Sequence, residues 1–172
     1  MLRITAMPGY GEQFVLPALD KLRRKYNDIN FDVNFTDEVI SLASNDVDIA
    51  IRASATPPEQ VVARRLDDHD FALVASPEYI IANGAPTVST DLKGRSVFMY
   101  RTPRGVLDWL VQKDGIWKAI ELTPKYITNN GQSLLDSVRT GDGIAFLPGW
   151  AVAGDIESGR MVKGSRGVRL VL

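Results

Sequence analysis

Apolar residues occupy every second position over residues 29–35, with a polar residue at each position between them. This period of two is typical of a strand with one buried face and one wet face. The same alternation runs over residues 2–6, and a third apolar segment, residues 47–51, ends at Arg52. Apolar positions at helical spacing separate the first two strands, and a short helix is predicted at residues 39–44. Strand, helix, strand, helix, strand predicts a parallel sheet wound by right-handed crossovers.

A new series of strands and helices begins after the turn Asn83-Gly84-Ala85-Pro86. Asp-Gly at residues 114–115, between apolar runs, predicts a β-hairpin. Asn129-Asn130-Gly131 is typical of a helix start, and Gly141 is typical of that helix's end. Further strands are predicted at residues 61–66, 71–75, 96–100, 126–128, 144–148 and 168–172, and further helices at residues 77–82 and 150–158. The order indicates two small α/β lobes in series.

The composition is that of an ordinary globular chain, with 172 residues, 45% of them hydrophobic and 24% charged. Twenty Lys and Arg against 21 Asp and Glu give a formal net charge of −1, which provides no overall attraction to nucleic acid. Because cysteine is absent, disulfides and cysteine nucleophiles are excluded, while cytoplasmic and disulfide-free periplasmic locations both stay open. No stretch approaches the ~18 apolar residues of a membrane span, and the N-terminus lacks the apolar core of a signal peptide.

Catalytic motifs are missing from the sequence, which has one histidine and no pattern of a P-loop, serine hydrolase or zinc protease. We therefore predict no catalytic residue, no metal site and no cofactor. Three loops should instead lie at the carboxyl ends of parallel strands, where such sheets bind ligands. These loops are residues 7–10, 52–56 and 129–131. Helix N-termini, together with Arg52, Arg101 and Arg104, favour a small anion there. The alternative is that the loops are ordinary connections and the arginines are solvated.

Ordered phrases of the sequence resemble the effector-binding domain of LysR-type transcriptional regulators, in the glycine-cleavage-activator-like branch. Asp48-Ile49-Ala50-Ile51-Arg52 is similar to the family's Asp-Leu-Ala-Ile-Arg, and residues 141–150 are similar to its Gly-x-Gly-Ile-Ala-x-Leu-Pro-x-Trp. Further matching phrases lie at residues 63–66, 75–79, 91–94, 129–134 and 158–161, and at Trp109. The resemblance covers nearly the whole chain.

The resemblance implies a two-lobed, periplasmic-binding-protein-like (type II) α/β fold, each lobe a small, mostly parallel sheet flanked by helices. Lobe I would comprise residues 1–75 with the returning strand 166–172, and lobe II residues 76–165. A small effector would bind between the lobes. The implied effector contacts are Met7, Pro8, Gly9, Tyr10, Arg52, Ala53, Tyr100, Arg101, Thr102, Thr128, Asn129, Asn130, Phe146 and Pro148. Many relatives carry Ser or Thr in the first loop, where this chain has none, so the effector's identity does not transfer.

The family also pairs side by side, which implies a homodimer or tetramer. One helix of one protomer would pack antiparallel on a second helix of its partner. The implied interface residues are Val15, Leu19, Leu22, Arg23 and Tyr26 on the first helix, and Ser133, Asp136, Ser137 and Thr140 on the second.

The family's N-terminal winged helix-turn-helix and its last helix have no counterpart in these 172 residues. We therefore expect the chain to be the effector-sensing and dimerisation part of a cytoplasmic regulator, which meets DNA only through the missing N-terminal domain and does not meet a membrane. An extracytoplasmic solute receptor is the first alternative, because it shares the fold and its hinge motion. An enzyme on this fold is the second, and the single His, the absence of Cys and the lack of metal-ligand spacing argue against it.

Overall fold

The computed structural model describes residues 1–38, 46–53, 59–113, 115–164 and 168–170. It divides into two compact units, Met1–Arg65 and Leu66–Leu172. The helix predicted at residues 39–44 lies outside the described residues.

The first unit is built on a parallel three-stranded sheet, as the sequence predicts. Its strands are β1 (Leu2–Ala6), β2 (Phe31–Phe35) and β3 (Ile49–Ile51), and β1 lies in the centre. The alternation in β2 is confirmed, because Phe31, Val33 and Phe35 are half-buried while Asp32 and Asn34 are exposed. The strand pattern therefore directs one sheet face into the core.

A continuous helical run follows β1 almost at once. It comprises α1 (Pro8–Tyr10), a π-helical segment (Gly11–Val15) and α2 (Leu16–Lys25). The predicted loop at residues 7–10 is thus mostly the first helical turn, because Pro8 has the fixed φ that suits a helix start. A Cβ at Gly11 would collide with the Phe35 ring, so glycine permits the helix to lie close to the sheet. The unit's core is formed by Ile4, Ala6, Val15 and Leu19.

The second unit contains a mixed sheet in the order β11, β4, β10, β5, β6, with β9 also beside β5. Its strands are β4 (Phe71–Ala75), β5 (Val97–Thr102), β6 (Gly105–Val106), β9 (Tyr126–Thr128), β10 (Ile144–Pro148) and β11 (Val162–Lys163). The strands β10 and β9 run parallel to β5, whereas β4 runs antiparallel to β10. The expectation of a mostly parallel sheet in this unit is therefore replaced by a mixed one.

Each face of this sheet has its own core. Helices α4 (Gly131–Arg139) and α5 (Gly149–Glu157) pack on one face through Leu134, Val138 and Val152. On the other face, Tyr79 of α3 (Pro77–Asn83) packs with Leu73, Ile144 and Trp109, beside the 3₁₀ turn Ser89–Leu92. Because both faces are covered, the central strands are buried along nearly their whole length.

The predicted hairpin is confirmed as β7 (Trp109–Lys113) and β8 (Ile116–Ala119). Strand β12 (Val168–Leu170) pairs antiparallel with β7. The expected place of this returning strand is lobe I, whereas residues 168–170 pair with a strand of the second unit.

Two further expectations are corrected. Residues 61–66 form no strand, and they lead into the second unit as an exposed connection. The strand β4 belongs to the second unit, not to lobe I, because its hydrogen-bond partners are β10 and β11. The observed boundary therefore lies between Arg65 and Leu66, ten residues before the expected one at residue 75.

Candidate functional site

Arg52 follows β3, and its side chain is anchored within the first unit. Its Nη2 donates to Thr5 Oγ1 at 2.7 Å, and its Nη1 donates to the Ile51 carbonyl at 3.1 Å. Thr5 belongs to β1 and is only 1% exposed. The half-buried guanidinium is therefore fixed at the end of the parallel sheet, where the sequence places it.

Burial lowers the pKa of the Arg52 guanidinium, and the negative charge of Asp37 opposes that shift. An arginine stays protonated at neutral pH in either case. The guanidinium has five N–H donors in a planar fork, and its bonds to Thr5 and Ile51 occupy one on each terminal nitrogen. This geometry is suited to binding a carboxylate or another small oxyanion.

The first predicted loop presents mainly backbone. The Met7 carbonyl accepts the Gly11 N–H at 2.7 Å, and Gly9 is exposed in the first helical turn. The Tyr10 ring packs 4.7 Å from the Phe14 ring and also contacts the unit's core. Tyr10 therefore has a packing role besides any that its hydroxyl could have toward a ligand.

In the second unit, the sheet register brings Tyr100 directly beside Thr128. Tyr100 is half-buried against the core, and Arg101 is exposed. The Thr102 hydroxyl donates to the Gly105 carbonyl at 3.0 Å and accepts the Arg104 N–H at 3.2 Å. Within this unit, the two predicted groups of ligand contacts thus meet at one edge of the β5–β9 pair.

The side chains of Thr128 and Asn130 take part in capping helix α4. Thr128 Oγ1 accepts the Asn130 N–H at 3.1 Å, and Asn130 Oδ1 accepts the Ser133 N–H at 2.9 Å. Asn130 is thus the N-cap of α4, as predicted, and its side chain is held by that task. Asn129 is exposed beside it.

Three further predicted effector contacts, two on β10 and one after Arg52, have different surroundings. Phe146 is 6% exposed, stacks on Phe71 at a ring distance of 5.9 Å and lies 6.0 Å from Trp109. The structure gives Phe146 a place in the core, because its strand is covered on that face. Pro148 is half-buried and lies opposite Phe71 in the register. Ala53, after Arg52, is exposed.

The predicted dimer residues divide into two groups. Val15 and Leu19 are 6% and 9% exposed and pack inside the first unit, so the structure corrects their assignment to an interface. Leu22 and Tyr26 are 43% and 46% exposed on the same helical run, next to Arg23. Ser133 and Asp136 on α4 and Thr140 at its C-cap are exposed, whereas Ser137 is half-buried and hydrogen-bonded to the Tyr126 hydroxyl.

Sequence reasoning missed two polar groups that the structure brings out. The first is Thr5. It lies between Ile4 and Ala6 on an alternating strand, so the alternation indicates that its side chain lies on the sheet face opposite the one that packs on the helix. The second is Asp155, which is 3% exposed and binds two arginines. Its Oδ2 accepts Arg139 Nη2 at 2.8 Å and Nε at 3.1 Å, and its Oδ1 accepts Arg160 Nε at 2.6 Å.

In the part of the chain that the structure describes, no three His, Cys, Asp or Glu side chains form a group that could hold a metal ion. No helix among the described residues is long and apolar enough to cross a membrane.

Comparisons with known proteins give a consistent result. The family model of the LysR substrate binding domain matches residues 1–166. The HTH-type transcriptional regulator DmlR of Escherichia coli K12 is 32% identical over 166 residues, which are 95% of this chain and 53% of that protein. The regulator CrgA of Neisseria meningitidis serogroup C is 27% identical, over 94% of this chain and 54% of that protein. The chain thus spans about half the length of the curated relatives it matches.

Solved structures agree in fold. One of them is the full-length structure of AphB, a virulence activator of Vibrio cholerae and a member of the LTTR protein family. It matches this chain with a TM-score of 0.86 and 19% identity, and the match covers 99% of this chain and 58% of the AphB chain. At this identity the likeness establishes the fold alone, which is a two-lobed α/β fold.

Proposed function

Because the chain belongs to the LysR substrate-binding domain family, we propose that it binds a small anionic metabolite as the sensing part of a transcriptional regulator. The observation that supports an anionic ligand is the position of the Arg52 guanidinium, which the buried Thr5 hydroxyl holds at the end of the parallel sheet. A fixed guanidinium binds a carboxylate with little loss of side-chain entropy. The predicted position of the effector between the lobes stays a prediction.

The second unit has its own group of predicted effector contacts. Tyr100 and Thr128 lie side by side, and Arg101 and Asn129 are exposed next to them. The other members of the proposed effector set are Thr102, Asn130 and Pro148 of the second unit and Met7, Pro8, Gly9, Tyr10 and Ala53 of the first.

A matched ligand panel tests the anion. Succinate and succinamide, and benzoate and benzamide, are titrated against the protein while its melting temperature is followed. At least one carboxylate should raise Tm in a saturable manner, and its uncharged amide should not. Arg52→Ala should abolish that response, whereas Arg64→Ala, an exposed arginine of the same unit, should preserve it. Equal responses from Arg52→Ala and the parent protein would refute the role of Arg52.

The proposed output is a change in DNA binding by a winged helix-turn-helix on the same polypeptide. A ligand couples to this output only as far as it binds two arrangements of the protein with different affinity, typically by ~1–3 kcal/mol. The relatives are named as transcriptional regulators, which supports a cytoplasmic sensor over a solute receptor or an enzyme. Sequencing the source DNA upstream of the Met1 codon tests this: an in-frame helix-turn-helix is expected, and a hydrophobic leader would contradict it.

We also propose that the chain pairs with a second copy. Exposed Leu22 and Arg23 on α2, with Tyr26 at its C-cap, would pack antiparallel against α4 of the partner. The contacts there would be Ser133, Asp136 and the C-cap residue Thr140. The opposite charges of Arg23 and Asp136 support this pairing, as do the two exposed apolar side chains.

A further inference from the structure

A cavity of about 170 Å³ lies within the second unit, on the sheet face that α3 covers. Its floor is formed by β4 and β10, and its sides by α3, the segment after it, and β11. The lining includes Leu73, Ala75, Ile80, Ala85 and Ile144. None of the lining residues belongs to the proposed effector set, so the cavity is a separate site.

The strand register shows which side chains point into the cavity. In an antiparallel pair, opposed residues share a face, and neighbours along a strand alternate. Lys163 lies opposite Val74, while Val162 lies opposite Ala75. Leu73 and Ala75 belong to the core on the cavity's face, and Val74 to the core on the other face. Lys163 therefore borders the cavity with its backbone and directs its ammonium group to the opposite face.

Glycine closes the side of the cavity next to Lys163. The Gly164 N–H donates to the Leu73 carbonyl at 2.7 Å, and a Cβ at residue 164 would lie only 3.0 Å from Leu73 Cδ2. A larger residue there would press on the Leu73 side chain. The cavity is therefore lined by aliphatic side chains and backbone, and no charged side chain among its described lining residues points into it.

The size and chemistry of the lining specify the ligand class. An engineered, enclosed apolar cavity of ~150 Å³ binds benzene or xenon, and this cavity has a similar size and an apolar lining but is open to solvent on one side. Ala85 and Val162 are exposed at its border and leave an entrance. We propose that this cavity is a second ligand site, which takes a small uncharged apolar molecule of one ring or a short branched chain. A carboxylate or ammonium is excluded, because nothing in the lining would compensate its lost hydration.

The test uses benzene and benzoate, which share a ring and differ in charge. The 172-residue chain is labelled at its Ile, Leu and Val methyl groups and titrated with each compound, and the methyl signals are followed by NMR. Benzene should cause saturable shifts of the Leu73, Ile80 and Ile144 methyl signals, and benzoate should leave these three unshifted. The proposal is overturned if benzene causes no saturable shift there, or if benzoate shifts them equally.

Filling the cavity gives a second measure. Ala85→Leu places three extra carbons at the entrance and should remove the benzene shifts. The matched control is Ala153→Leu, an exposed alanine on α5 outside the cavity, which should keep them. Unchanged benzene binding by a folded Ala85→Leu variant would contradict the site. If that variant does not fold, the comparison of benzene with benzoate on the parent protein still decides.

Discussion

At the scale of single residues, the buried carboxylate of Asp155 has a testable electrostatic effect on stability. Its carboxylate is 3% exposed and bound by two arginines whose own side chains are 38% and 63% exposed. Replacing it with asparagine keeps the shape but removes the charged acceptor. Asp155→Asn should lower the free energy of unfolding by about 1–3 kcal/mol, as measured by urea denaturation.

The control is Asp136→Asn, because Asp136 also pairs with Arg139 but is 57% exposed. Asp136→Asn should lower the free energy of unfolding by less than about 1 kcal/mol. A smaller effect at Asp155 than at Asp136 would mean that burial adds nothing to this ion pair.

The same carboxylate predicts a pH dependence. Burial raises the pKa of Asp155, but the hydrogen bonds and charges of Arg139 and Arg160 outweigh it, so the pKa is lowered overall. The stabilisation is therefore present above the ordinary aspartate pKa of about 3.9 and is lost as the pH falls through the lower folded value. The free energies of unfolding of the parent protein and of Asp155→Asn, measured with urea, should differ at pH 6 and converge toward pH 2. A constant difference would refute this.

Thr5 is the residue that positions Arg52. Thr5→Val keeps the shape in the buried strand but removes the acceptor of the 2.7 Å hydrogen bond, while Thr5→Ser restores it. With any carboxylate found to bind, Thr5→Val should weaken affinity about tenfold or more, roughly 1.4 kcal/mol, and Thr5→Ser should largely keep it. Calorimetric titration measures both, and equal affinities in the two variants would contradict the positioning role.

At the scale of elements, two glycines in helices have opposite surroundings. Gly11 lies against the Phe35 ring, whereas a Cβ at Gly154 in α5 would meet nothing within 4 Å. Gly11→Ala should destabilise the protein by about 1–3 kcal/mol through overpacking. Gly154→Ala should stabilise it by about 0.5–1 kcal/mol through helix propensity. Thermal unfolding measures both, and the same sign for both would show that the close helix–sheet contact has no energetic weight.

The elements that depend on local pattern were predictable from the sequence. The alternation in residues 29–35, the Asp-Gly hairpin and the Asn130 cap all act within a few residues, and all are confirmed. The partners of β4 and β12 were not predictable, because pairing depends on contacts far apart in the chain. For the same reason the packing of Phe146 against Phe71 and Trp109 was not predictable, and the resemblance implied a ligand contact at this buried residue.

At the scale of the whole molecule, the proposed pairing of copies depends on exposed apolar residues of α2. Leu22→Asp places a charge in that surface and should weaken dimerisation at least about tenfold, or ~1.4 kcal/mol. Sedimentation equilibrium at micromolar concentration measures the effect. Ile81→Asp is the control, because Ile81 is 86% exposed on α3, outside the proposed interface. A parent protein that is only monomeric would disprove the interface.

The position of β4 in its sheet also affects how the chain folds during synthesis. The first unit has all three of its described strands once residue 51 has left the ribosome. In contrast, β4 at residues 71–75 waits for β10 at residues 144–148 and then for β11 at residues 162–163. Pairings across such long sequence separations are slow to form. Newly made β4, an apolar strand, therefore lacks both of its strand partners while residues 76–143 are being synthesised, and a transiently unpaired apolar strand is prone to aggregate.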